Sequence, residues 1–160
     1  MKVFALSESV SLAIIGITLI KNAENYREFE YKDEFGNSTI GWGFLMDSFL
    51  PAKVKEYLKK GISIDEANSL LSMRVVHIMH TIDIAFPNLN RNVYLVFIDM
   101  IYNLGITQFM EFTTFLAFVK LDEINFAVKD LTNTLWYKQV ENRAVRDCFN
   151  LLSTKNYYLI

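Results

Sequence analysis

Glu24, Asp33 and Thr39 follow one another with eight and then five residues between them. Two carboxyl groups and a hydroxyl are the set that cleavage of a glycosidic bond requires. One carboxylic acid protonates the leaving oxygen, a second and ionised one activates water or stabilises developing positive charge, and a hydroxyl can hold the attacking water. A positioned proton-transfer group contributes about 10²–10⁴ in rate. The two carboxyls must titrate apart, which burial of one and hydrogen bonding or solvation of the other can achieve. Spacing alone leaves the plainer alternative open, since two such carboxylates can equally be part of a solvated surface.

The elements that must carry this trio are legible in outline. Residues 10–20 are mostly apolar but include Ser11, Gly16 and Thr18, and they are too few for a spanning helix, which needs about 20. They read as a helix tucked into the fold, ending near Glu24, or as an export or membrane-tethering segment. Lys2 gives a weak positive start, Glu8 interrupts it, and no clean small-x-small cleavage site follows. Residues 28–45 alternate loosely around Phe29, Tyr31, Ile40 and Trp42, punctuated by Gly36-Asn37, Gly41 and Gly43. That pattern predicts a small hairpin or three-stranded sheet, with Asp33 and Thr39 beside its turn. Pro51 opens a short Lys-rich stretch that Gly61 closes.

Ser63 and Glu66 then form a capping box, in which the serine hydroxyl accepts an amide and the glutamate reaches back. Ile64, Ala67, Leu71, Val75, Ile78, Ile82 and Ala85 recur at steps of three and four, so one amphipathic helix runs to just before Pro87. Its length should be about 30 Å, enough to bridge two lobes. Asn90 caps the next helix and Gly105 ends it. The apolar residues of that helix leave it little polar face, which marks a central helix. Shorter helices are expected from near Thr107, Thr114 and Asp122, and a last one over residues 141–152. The sum is a small α+β lobe, a bridging helix and an all-helical lobe, and a cleft where two lobes meet is a usual ligand site.

The totals agree with this. A chain of 160 residues fits one compact domain or two small lobes. The single cysteine, Cys148, excludes an internal disulfide and reads as a structural thiol. A net charge of −2 argues against nucleic acid as a partner. His77 and His80 stand three apart but lack a third ligand in view, so no metal is expected.

The stretch from Glu24 to Gly43 resembles the phage-type lysozymes, glycoside hydrolase family 24. That family pairs a helix-terminal Glu with an Asp and a Thr on a hairpin, followed by Ile-Gly-x-Gly. Tyr31, Lys32, Asp33, Gly36, Thr39, Ile40, Gly41 and Gly43 all fall where the pattern expects them. Residues 62–67 look like the family's entry into its long helix, and Tyr102-Asn103-Leu104-Gly105 like its Phe-Asn-x-Gly helix end. Trp136-Tyr137-Lys138-Gln139, then Asn142-Arg143-Ala144 and Arg146, resemble its Trp-Tyr-x-Gln…Asn-Arg-Ala-x-x-Arg block. The likeness extends over about residues 16–158.

The resemblance implies an α+β, mainly α, lysozyme-like two-lobe fold. Residues 1–15 would be an extension, about 16–62 the small β-hairpin lobe, about 63–85 the bridging helix and about 88–160 the all-helical lobe. It implies a monomeric, cofactor-free muramidase that hydrolyses the β-1,4 bond between N-acetylmuramic acid and N-acetylglucosamine of bacterial peptidoglycan in host lysis. Glu24 would be the general acid, Asp33 would assist water or stabilise charge, and Thr39 would position the water. Arg143 would pair with Glu24, and Asn103 and the Phe44 position would contact substrate. The family is regarded as inverting, which sets the carboxyls about 6.5–9.5 Å apart. Phe44 departs from the family's usual His, which holds a structural ion pair. The acidic balance is a second departure, because the family is often strongly basic and so drawn to the anionic wall.

Trp42 is expected to pack the small lobe, with stacking on a sugar as the alternative, and Trp136 and Tyr137 to anchor the helical core. The enzyme would wait in the host cytoplasm until release to the periplasm, or be exported through an uncleaved apolar start that touches the membrane transiently. A glycan-binding module without catalysis and a lysozyme-fold antibacterial effector are the alternatives.

Overall fold

The computed structural model describes residues 6–33, 36–46 and 50–153. Its elements are α1 (Leu6–Ala23), β1 (Arg27–Lys32), β2 (Ser38–Gly41), β3 (Phe44–Leu45), α2 (Ala52–Leu58), α3 (Ile64–Ala85), α4 (Arg91–Leu104), α5 (Ile106–Phe109), α6 (Thr113–Lys120), α7 (Ile124–Thr132) and α8 (Leu135–Leu152). The fold is α+β and mainly α, with one small antiparallel sheet and a helical C-terminal region. Two compact units divide the chain, with the boundary inside α3 between Met79 and His80.

In the first unit, α1 begins at Leu6, so residues 6–15 of the expected extension belong to the first helix. Residues 1–5 lie outside the described residues, as do 154–160 at the far end of the resemblance. Leu12 and Ile20 are fully buried, and with buried Gly16 they form an i, i+4, i+8 stripe. Among the described residues no helix is long and apolar enough to cross a membrane.

The sheet has the order β1-β2-β3. Tyr31 pairs with Thr39 and Lys32 with Ser38, and an irregularity between Arg27 and Tyr31 bends β1. Its inner face packs Ile40, Phe44 and Met46 against Leu58, Ile62 and Ala67. Gly41 carries φ 64°, and a β-carbon there would stand 3.1 Å from the Ala67 Cβ. Only a glycine lets β2 approach the start of α3 so closely.

The capping box at that start is formed as expected. Glu66 N–H donates to Ser63 Oγ at 3.3 Å, while Ser63 N–H and its hydroxyl donate to Glu66 Oε2 at 2.8 Å each. Seven residues of α2 carry too little periodicity to announce a helix, and only Leu58 of them is buried.

In the second unit, Asn92 N–H donates to Asn90 Oδ1 at 2.9 Å to cap α4, and Gly105 (φ 77°) ends it. Every residue from Val93 to Ile101 is buried, as a central helix requires. Phe97 is packed edge-on against Phe86 and Phe109, at 5.1 and 4.9 Å between ring centres. The last helix begins six residues before its expected start. Thr134 Oγ1 accepts from Tyr137 N–H to cap it, and Glu141 (φ 12°, ψ −81°) interrupts it where the sequence had placed its beginning.

Candidate active site

Glu24 stands one residue beyond α1, its N–H still donating to Ile20 O at 2.9 Å. It therefore continues the buried stripe Leu12, Gly16, Ile20 by one more helical turn. The half-exposed carboxyl meets the tight turn between β2 and β3. A β-carbon on Gly43 would lie 2.9 Å from both Glu24 Cδ and Oε2, and Gly43 holds φ 74°. A glycine is required there twice over, by backbone conformation and by space.

Trp42, the other residue of that turn, is held from two helices. Its indole Nε1–H donates to Asn68 Oδ1 of α3 at 3.0 Å, and Lys21 Nζ of α1 lies 5.1 Å from the ring. The Tyr26 ring lies 5.6 Å away, tilted against it. These contacts fit the packing role expected of Trp42.

Asp33 closes the opposite end of the sheet. Its Oδ1 accepts from Asn37 N–H at 2.8 Å and its Oδ2 from Asn37 Nδ2 at 3.0 Å. Gly36 N–H donates to Asp33 O, and Asp33 N–H to Asn37 O. This brace fixes the carboxylate relative to β1 and β2. Thr39, only 4% exposed, turns its hydroxyl to Asn37 O at 3.3 Å.

Tyr31 of β1 neighbours this part of the sheet. It faces Thr39 across the sheet, and Arg27 stacks its guanidinium 4.4 Å from the ring centre. Burial pushes its phenol above the usual tyrosine range, and the charges of Glu24 and Asp33 push it the same way against Arg27. In the sequence Tyr31 stands only as a strand and motif position. Its register with Thr39 depends on the strand irregularity, which carries no sequence mark.

The other expected site residues sit as follows. Phe44 is 6% exposed in the core of the first unit, with the Arg74 guanidinium 5.0 Å from its ring. A cation–π contact thus stands where the family's histidine would hold an ion pair. Asn103, half-buried on α4, accepts from the buried Trp136 indole at 2.7 Å. Arg143 is buried on α8, with its Nε 2.7 Å and Nη2 3.1 Å from the two Asp99 oxygens.

Asp99 and Asp147, both fully buried, went unnoticed in the sequence. The available signal was a single acid inside the otherwise apolar run of α4. The second unit also has an open groove of about 330 Å³, walled by Phe112, Trp136, Glu111, Asp130, Thr134 and Gln139. Among the described residues no group of three or more His, Cys, Asp or Glu could hold a metal.

A family model described as phage lysozyme matches residues 21–148, a span that includes Glu24, Asp33, Thr39, Asn103 and Arg143. No curated protein matches the chain.

Proposed function

Because this chain belongs to the phage lysozyme family, a family of lysozyme-type peptidoglycan hydrolases, we propose that it is an inverting muramidase. Its bond is the β-1,4 link between N-acetylmuramic acid and N-acetylglucosamine, and its setting is host lysis after release or export to the periplasm.

Glu24 donates the proton to the leaving oxygen. Asp33 assists the incoming water or stabilises the positive charge that grows on the sugar, and the Thr39 hydroxyl orients that water. Arg143 serves the acid, and Asn103 contacts the glycan. The observation that carries the reading is the packing of the Glu24 carboxyl against the Gly43 turn of the sheet that also presents Thr39 and, at its other end, the braced Asp33. Inversion calls for a water between the two carboxyls and their separation by about 6.5–9.5 Å.

Turbidity loss of chloroform-treated Gram-negative cells tests the activity. Glu24→Gln keeps the shape of the side chain and removes its proton, so clearing should slow by about 10²–10⁴. Wild type that clears no faster than Glu24→Gln rejects the hydrolase reading. Nuclear magnetic resonance of fresh products tests the stereochemistry, and a product first released as the α-anomer marks inversion.

A further inference from the structure

The core of the second unit contains a charged group that the mechanism above leaves unused. Asp99 of α4 and Asp147 of α8 are both fully buried. Asp99 accepts from Arg143 Nε at 2.7 Å, from Arg143 Nη2 at 3.1 Å and from Arg146 Nη2 at 2.7 Å. Asp147 receives much less, since its Oδ1 lies 3.4 Å from Arg146 Nε and Nη2. Its Oδ2 is buried without a donor.

Arg146 Nη2 reaches both acids, 2.7 Å from Asp99 Oδ2 and 3.4 Å from Asp147 Oδ1, so the two carboxyl groups neighbour one another in the core. A buried carboxylate oxygen without a donor is costly, and protonation removes the charge and makes that group a donor. The three guanidinium bonds occupy Asp99, and the proton therefore belongs on Asp147, whose Oδ2 has no donor.

We propose that Asp99 is the residue that positions Arg143 for the reaction, and that it works as one half of an acid pair whose single proton Asp147 holds. The positioning half rests on the hydrolase reading, in which Arg143 serves the acid. The fork of Arg143 is gripped at both ends by one carboxylate, which fixes its plane. A second ionised carboxylate beside Asp99 would compete for Arg146 and repel Asp99, loosening that grip.

Burial acts first to hold the Asp147 carboxyl well above its usual range. The charge of Asp99 adds to this, and Arg146 and Arg143 oppose it without prevailing. Arg146 is the more exposed of the two guanidiniums, which screens its effect. Of the charges on α7, which also packs against α8, Lys129 is exposed and Asp130 faces the groove.

The sign of the linkage follows. Asp147 binds its proton more tightly folded than unfolded, so its contribution to stability is complete below the unfolded aspartate pKa of about 3.9. It is lost progressively as pH rises towards the folded value. Over that window the protein's unfolding constant rises by up to tenfold per pH unit more than that of a variant lacking the proton.

Asp147→Asn keeps the size of the side chain, can donate where the carboxylate cannot, and does not ionise. In infrared spectra at pH 7, wild type should show the carbonyl band of a neutral, buried carboxylic acid, and Asp147→Asn should lose it. Urea unfolding from pH 5 to pH 9 should show the extra one-proton slope in wild type only. In turnover, Asp147→Asn should keep its rate as pH rises past the point where wild type declines. Asp99→Asn should lose roughly ten- to hundredfold in kcat with KM unchanged. If Asp99→Asn does not fold, Arg143→Lys replaces it, since a lysine cannot make the fork, and the same loss is expected.

A missing infrared band, or equal slopes in the two proteins, overturns the proton on Asp147. Wild-type kcat in folded Asp99→Asn, or in Arg143→Lys where that stands in, overturns the positioning role. The infrared and unfolding measurements need no hydrolysis, so a wild type without lytic activity rejects the functional reading and leaves the acid pair to be judged on its own.

Discussion

Gly43 lies so close to the Glu24 carboxyl that a β-carbon on it would come within 2.9 Å of Cδ and Oε2. The turn between β2 and β3 is thus a wall against which the candidate proton donor rests. Placing the acid in this way uses backbone rather than a side chain, and backbone held by flanking strand pairs moves little.

Gly43→Ala should therefore harm activity more than stability. The added methyl must displace the carboxyl, and a misplacement of about 1 Å at a reacting group can cost about 10²-fold in rate. The left-handed backbone (φ 74°) adds a cost of about 1–2 kcal/mol for a residue with a β-carbon. Lytic assays alongside thermal unfolding separate the two effects. Wild-type clearing by Gly43→Ala would show that the wall does not position the acid.

Trp42→Phe removes the indole donor to Asn68 and leaves an aromatic ring near Lys21. The expected outcome is a stability loss of about 1 kcal/mol by urea unfolding, with KM unchanged, because the ring packs the turn. A KM several-fold higher at unchanged stability would instead assign Trp42 to sugar stacking.

The capping box gives the first unit an acid-sensitive joint. Glu66 is held below the usual glutamate range by the Tyr57 hydroxyl first, and then by the Ser63 N–H and hydroxyl. A depressed carboxyl contributes stability above its unfolded pKa and loses it as pH falls through the lower folded value. Glu66→Gln should accordingly flatten the acid limb of a melting-temperature profile below about pH 4.3. An acid limb as steep as wild type's would remove Glu66 from the explanation.

Cys148 should be nearly inert. Burial first, and the neighbouring Asp147 second, push its thiol up to about 11. Thiolate is the reactive form, and at pH 8 it should be about a thousandth of the total. Labelling with a disulfide reagent should be slow in native protein and fast in denaturant. Rapid native labelling would place Cys148 in a more open setting than the structure gives it.

What the sequence determined by itself were the features whose causes lie within a few residues of one another. Ser63 with Glu66, Asn90 before α4 and Gly105 after it announced three helix boundaries, because a cap satisfies backbone groups within about four residues. The stretch from Glu24 to Gly43 revealed the candidate trio for the same reason, its members sharing one short hairpin and the helix before it. The seven residues of α2 and the early start of α8 stayed hidden, having too little period or too strong a break at Glu141 to read.

Only the tertiary structure decided which distant groups meet. Asp99 and Arg143 are 44 residues apart, and Trp42 reaches 26 residues forward to Asn68. Nothing local distinguishes a buried, paired aspartate from one facing water. That difference is set by which helices pack together, and burial then makes Asp99 meet its cations and raises the Asp147 carboxyl above its usual range.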